Sequence, residues 1–193
     1  MLRKLYDRTM ALAGSRHAEP ALFGVSFTES SFFPIPPDLL LIPMVLSNRA
    51  RWIWYATLCT VASVLGGLAG YAIGLWLFND VALPILEVYG YADKIEAFTE
   101  SFNAWGWLIV FFAGITPFPY KVITITAGAT GLSIPIFIVA SLVSRGLRFF
   151  IVAALLYWLG PPIRAFIEER LGLMLTIVVV LGIAGFFAIR LIR

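Results

Sequence analysis

The stretch Pro34-Ile35-Pro36-Pro37-Asp38 interrupts one long hydrophobic segment, and Pro117-Phe118-Pro119-Tyr120-Lys121 interrupts another. Both fit proline-x-proline-x-charge, with charges of opposite sign, and they lie 83 positions apart. Each is followed at the same offset by a long apolar run, residues 52–78 and 135–160. Proline removes a backbone donor and clashes with the preceding turn, so Pro34, Pro36, Pro37, Pro117 and Pro119 break helices. Proline-interrupted hydrophobic segments in corresponding halves of a chain point to a midplane binding site in a membrane transporter.

Composition supports a membrane setting. The chain has 193 residues, of which 61% are hydrophobic and 13% charged, and its mean hydropathy is +0.93. A soluble domain of this size carries more polar surface. Residues 52–78 and 171–189 are free of charge and long enough for a membrane-spanning helix. The alternation that marks a transmembrane barrel is absent from the sequence. The expected fold is an all-α, multi-pass integral membrane protein of one domain, in the bacterial inner (cytoplasmic) membrane.

Working outward from the breaks divides the chain. Residues 1–20 read as an amphipathic surface helix and a turn, with Leu2, Leu5, Tyr6 and Met10 at helical spacing. Residues 21–78 form repeat 1 and residues 105–160 form repeat 2. Between them, residues 79–104 are a polar connector, helical from about Tyr91 to Phe102, and residues 170–192 are a last transmembrane helix. The arm before the first break has about 13 residues, or roughly 20 Å at the rise of an α-helix. Such an arm does not cross a core of about 30 Å. It is a re-entrant hairpin or half of a kinked span, and the arm lengths favour the hairpin. Parity then inverts the second repeat relative to the first, because a hairpin makes no net crossing and the span after it makes one.

Lys and Arg residues set orientation. Arg3, Lys4, Arg8, Arg16, Arg49, Arg51, Arg164 and Arg170 fall on one side, against Lys94, Arg190 and Arg193 on the other. That count places the N-terminus in the cytoplasm, although the C-terminal arginines oppose it. Gly66, Gly70 and Gly74 recur every four residues in the first span, the spacing that lets another helix approach closely.

Five ionisable residues fall inside hydrophobic segments: Glu29, Asp38, Lys121, Arg145 and Arg148. Each costs about 2.5–3.5 kcal/mol at the centre of a spanning helix, so such residues face a wet cavity or one another. Lys121, Arg145 and Arg148 are the candidate binding residues for an anionic group such as a phosphate. Glu29 and Asp38 are the candidate proton-coupling residues, because desolvation favours the protonated form of a carboxylate. The structural alternative is a set of buried ion pairs that only fix packing.

Other chemistry lacks a pattern. His17 is the single histidine, and Cys59, the single cysteine, sits in an apolar run. No zinc-protease, nucleophile-elbow, Walker A or dinucleotide motif occurs, and Ser30 and Ser31 have no general base of the usual kind beside them. No catalytic residue, metal or cofactor is expected, and the protein is not expected to be an enzyme. Membrane lipids are the expected partners, with protons as the coupling ion and no nucleic acid. A homo-oligomer is compatible with the pattern.

These residues resemble the DedA family, also called the VTT or SNARE-associated Golgi protein family. Glu29, Pro34, Pro36, Pro37 and Asp38 are similar to the family's first hairpin, with Pro37 where glycine is usual. Gly70-Tyr71-Ala72-Ile73-Gly74 resembles its Gly-Tyr-x-x-Gly span motif. Thr116-Pro117-Phe118-Pro119-Tyr120-Lys121, followed by Ala127-Gly128, resembles the second hairpin in its YqaA-like branch. The resemblance covers roughly residues 20–160 and implies a flippase or scramblase dependent on the proton motive force. Substrates implied are phospholipids or polyprenyl-phosphate-type lipids, with Glu29 and Asp38 as the family's acidic pair. The family's two hairpin arginines are not matched, since Gly114 and Tyr120 stand at those places. A non-transporting scaffold and an intramembrane lipid phosphatase are the alternatives.

Overall fold

The computed structural model describes residues 17–33, 35–78, 80, 92–116 and 119–160. The surface helix through residue 16, Pro34, Pro117, connector residues 81–91 and the last span at 170–192 lie outside the described residues. The described part is all-helical. Helix α1 is Ala18–Ser31, α2 is Asp38–Ser47 and α3 is Trp52–Leu77, entered through a 3₁₀ turn at Arg49–Arg51. Helix α4 is Ala92–Ile115, α5 is Tyr120–Ala129 and α6 is Ile134–Gly160.

Proline chemistry sets the ends around the first break. The carbonyl of Thr28 accepts from the amides of both Phe32 and Phe33, at 2.9 and 2.8 Å, which closes α1. Phe33 precedes a proline and is thereby turned away from helical geometry. The carbonyls of Pro36 and Pro37 then receive the amides of Leu39, Leu40 and Leu41 and start α2. Asp38 stands in the first turn of α2, where the helix dipole favours a negative charge. Lys121 occupies the corresponding turn of α5, where the dipole opposes its charge.

Two helices are long and apolar enough to cross a membrane, Arg49–Leu77 and Ile134–Gly160. At about 1.5 Å per residue each exceeds the hydrocarbon thickness of roughly 30 Å. Their outward faces carry Ile53, Val61, Leu65 and Ile73 on α3, and Val139, Leu142, Val143 and Leu147 on α6. Their inward faces carry Ala56, Thr60, Ser63, Ser141, Ser144 and Arg145, all buried. Large apolar side chains outside, with small and polar ones inside, is the distribution a lipid solvent selects.

Side-chain register gives the directions of the helices. Glu19 of α1 receives hydrogen bonds from Arg51 and Trp54. Further along, Ser26 donates to the Cys59 carbonyl, Ser30 bonds Ser63, and Ser31 donates to the Gly66 carbonyl. The numbers rise together, so α1 and α3 run parallel, and the chain between them returns along α1 through α2. The second half repeats this path. Gly106 meets Leu132, and Gly114 meets Ser144, so α4 and α6 also run parallel. Between them α5 turns back, and Asn103 of α4 donates to the Thr130 carbonyl at 2.9 Å. The long helices oppose each other: Tyr71 packs on Phe137, Ser63 on Arg145, and Trp52 on Phe150 and Tyr157.

One expected boundary falls elsewhere. The polarity of residues 79–104 predicts a connector that ends at Ala104, with repeat 2 beginning at Trp105, whereas α4 runs unbroken from Ala92 to Ile115. Neither glycine nor proline lies between Ala92 and Trp105 to stop a helix. The polar residues there, Glu96 and Glu100 among them, mark an exposed stretch of helix rather than its end.

Candidate functional site

Helix α6 passes the basic residues against the acids of the first half. Arg145 donates from Nη2 to Glu29 Oε2 at 2.7 Å, and Arg148 donates from Nη2 to Asp38 Oδ2 at 2.6 Å. Three residues apart on a helix, the two arginines share a face. That face looks toward the first break, so Glu29 and Asp38 on either side of it are both reached.

The Glu29 pair belongs to a closed ring. Arg145 Nε donates to Ser63 Oγ at 2.6 Å. Ser30 Oγ donates to Glu29 Oε2 at 3.1 Å. Ser30 has a single proton, so Ser63 is the donor in the 2.7 Å contact between the two hydroxyls. Every proton thus points around the ring toward the carboxylate, an arrangement in which each bond polarises the next. The Arg145 guanidinium also lies 4.8 Å from the Tyr120 ring centroid and 4.7 Å from that of Phe149. Such cation–π contacts strengthen when desolvated. Tyr120 is anchored in turn by its hydroxyl, which donates to Ser141 Oγ.

The second pair is more open. The Arg148 and Asp38 side chains are 20% and 23% exposed, against 0% for Arg145 and 14% for Glu29. Phe149 lies 5.8 Å from the Arg148 guanidinium. Two buried atoms of the cluster, Asp38 Oδ1 and Arg145 Nη1, have no hydrogen-bond partner among the described residues.

The helices that frame this cluster touch at glycines. A Cβ on Gly66 would stand 2.1 Å from the Phe27 carbonyl oxygen of α1, and one on Gly74 would stand 1.9 Å from that of Ile125 in α5. At Gly70 it would meet Thr124 Oγ1 at 2.4 Å. That hydroxyl donates to the Ser30 carbonyl at 3.0 Å, which ties α5 to the ring. Backbone contact at these glycines brings α1, α3 and α5 close enough for the short ring hydroxyls to meet.

The five intramembrane charges therefore separate into two cross-linked pairs and one other cation. Lys121, expected beside the arginines, is half-buried in the first turn of α5. Its ammonium makes no ion pair or hydrogen bond with any described residue. Pro36 and Pro119 are exposed at the two breaks, and Pro37 is buried. Ser30, Ser63, Tyr120 and Phe149 complete the site without having been singled out for it. The four-residue spacing of Ser26 and Ser30 was the available signal, together with Ser63 in an otherwise apolar span. Two apolar grooves of about 480 and 530 Å³ flank α4, one facing α6 at Val139 and one facing α5 at Ile123. Among the described residues no charged side chain lines either. Among the described residues no group of His, Cys, Asp and Glu is arranged to hold a metal.

An uncharacterized protein of Haemophilus influenzae is 39% identical over 96% of both chains. An uncharacterized protein of Histophilus somni is 35% identical over 96% of this chain and 97% of its own. An uncharacterized protein of the archaeon Methanocaldococcus jannaschii is 25% identical over 66% of this chain and 76% of its own. No solved structure matches the chain. Residues 35–158 match the VTT domain, a span that runs from the first break to the end of the arginine helix. The chain belongs to the VTT-domain family of membrane proteins, the DedA and SNARE-associated family linked to membrane lipid transport.

Proposed function

We propose that this protein is a lipid transporter, a flippase or scramblase for a phospholipid or polyprenyl-phosphate-type anionic lipid, coupled to protons. The observation that carries the reading is the pairing of two arginines of one spanning helix with two carboxylates around a broken segment. An arginine held by a carboxylate is available to a phosphate once that carboxylate takes a proton. Charge is then conserved in the low-dielectric interior, where an unpaired ion is costly. Lys121 adds a cation, and the apolar grooves along α4 offer surface for acyl chains.

In this reading α1–α2 and α4–α5 are re-entrant hairpins, and the two halves are inverted repeats that approach the midplane from opposite faces. Alternating access is then a rocking of one half against the other. The N-terminus lies in the cytoplasm, following the excess of Lys and Arg on that side.

The test is translocation of a labelled anionic phospholipid in proteoliposomes, with and without an imposed pH gradient. Wild type should accelerate translocation, and the gradient should raise it further. Asp38→Asn fixes a neutral side chain and should abolish the gradient effect, with Glu29→Gln as the comparison. Translocation no faster than in protein-free vesicles would defeat the reading. No gradient effect in wild type would replace coupled transport with passive scrambling, and a gradient effect kept by both variants would take the coupling role from Asp38 and Glu29. The mutual pairing of four charges also suits a non-transporting scaffold, and absent translocation is the result that would favour it.

A further inference from the structure

The two ion pairs are chemically alike but differently held. We infer that they divide the work: Glu29–Arg145 is a permanent strut, and Asp38–Arg148 is the exchangeable pair whose arginine takes the lipid phosphate. This inference rests on the transport reading proposed above and assigns the two pairs separate roles within it.

Arg145 is held by more contacts than Arg148, although its Nη1 has no hydrogen bond to any described residue. Its side chain is fully buried, bonded to Ser63 and Glu29, and flanked by the rings of Tyr120 and Phe149. Its carboxylate partner sits inside α1, which packs backbone-to-backbone on α3 where Gly66 meets Phe27. Releasing Arg145 would break the serine ring and leave a guanidinium in a dry interior. The Tyr120 ring beside its guanidinium is itself fixed by a hydrogen bond to Ser141. Ser63 and Tyr120 are positioning residues in this account, because they act on the site through Arg145.

Arg148 is restrained far less. One carboxylate bond and one ring at 5.8 Å hold it, and both members of its pair are about one-fifth exposed. Asp38 also differs from Glu29 in its backbone. It begins α2 directly after the proline break, flanked by exposed Phe33, Ile35 and Pro36, so a small change at the break carries the carboxylate with it. Its Oδ1 has no hydrogen bond to any described residue. The hold of Asp38 on Arg148 therefore rests on Oδ2 alone. The carboxylate thus acts as an internal competitor that an anionic headgroup replaces after protonation.

The competition has a sign that can be measured. A site occupied by its own carboxylate binds ligand with an affinity reduced by the fraction of time it is open. Asp38→Asn removes the competitor's charge, so binding should tighten. Glu29→Gln removes the strut's charge, so stability should fall and binding should not tighten. The experiment titrates dihexanoyl phosphatidic acid into the purified full-length protein in neutral detergent and follows heat of binding. Dihexanoyl phosphatidylcholine and inorganic phosphate are the controls. Thermal unfolding is recorded for the same samples.

Asp38→Asn is expected to bind the phosphatidic acid about tenfold more tightly than wild type, with a small change in Tm. Glu29→Gln and the milder Ser63→Ala are expected to lower Tm clearly, with unchanged or weaker binding. Arg148→Gln should bind none while keeping most of the wild-type Tm. Weaker binding by Asp38→Asn, or tighter binding by Glu29→Gln, would overturn the division of roles while leaving the transport reading standing. Equal losses of Tm for the two acid variants would overturn it as well. Equal binding of inorganic phosphate would overturn the lipid part. Binding by neither wild type nor Asp38→Asn would overturn the exchange and, with absent translocation, the transport reading beneath it.

Discussion

Adding one methyl group at Gly74 should separate two helices that now touch through their backbones. A Cβ there would lie 1.9 Å from the Ile125 carbonyl oxygen, 2.7 Å from its carbon and 2.9 Å from its Cα. Ordinary contact begins at 3.4 Å, so α3 and α5 must part by about 1.5 Å, and overpacking of this kind costs about 1–3 kcal/mol. The obstacle is main chain rather than the end of a flexible side chain, which places the cost near about 3 kcal/mol. Alanine regains roughly 1 kcal/mol of helix propensity, leaving a net loss of about 2 kcal/mol. Gly24 is the matched control. It is also helical, but its Cβ would have no atom within 4 Å, so Gly24→Ala should gain up to about 1 kcal/mol. Unfolding of both variants in mixed micelles of sodium dodecyl sulfate and dodecyl maltoside, followed by tryptophan fluorescence, measures the difference. A Gly74→Ala protein as stable as Gly24→Ala would show that α3 and α5 do not cross in this way.

Four further outcomes follow from named contacts and from the topology. Arg145→Met should cost about 3–5 kcal/mol, because it strands Glu29 in the interior, and Arg148→Met should cost less, since its pair is partly exposed; equal losses in the same titration would refute the contrast. Tyr71→Phe removes a buried hydroxyl that donates to the Leu132 carbonyl at 2.7 Å and should cost roughly 1 kcal/mol; an unchanged midpoint would show the bond to be unimportant. Cys59 is fully buried and should resist maleimide until the protein unfolds, so rapid labelling of the native protein would contradict the packing of α1 on α3. In a Cys59→Ala background, an impermeant maleimide applied to intact cells should label Glu96→Cys and spare Ser47→Cys, both of which are exposed positions. Equal labelling of the two would defeat the inverted arrangement.

Much of the architecture was legible because it is local. The prolines at 34, 36 and 37 and the pattern through Pro119 mark where helices stop, since a missing amide and a ring clash act within one turn. The charge-free run at residues 52–78 gives a span through length alone. The glycines at 66 and 74 mark a close approach because nothing but hydrogen fits between two backbones, and Gly70 makes room for the Thr124 side chain. The continuity of α4 is not legible in the same way. Glu96 and Glu100 report where the helix meets water, and polarity of that kind does not mark where a helix ends.

The amino-acid sequence by itself determined the class of protein, the two broken segments and the five charges placed in hydrophobic segments. It did not determine which partner each charge finds. Glu29 and Arg145 are 116 positions apart, and Asp38 and Arg148 are 110 apart. No periodicity links residues so distant. The pairing depends on α1 returning through α2, and on α6 running opposite to α3 so that one turn of it faces both acids. Tertiary structure also decided that Ser63 and Tyr120 belong to the site, and that Arg145 is enclosed while Arg148 stays partly open. Burial of a side chain is a property of everything packed around it, and helices far apart in the chain supply those neighbours.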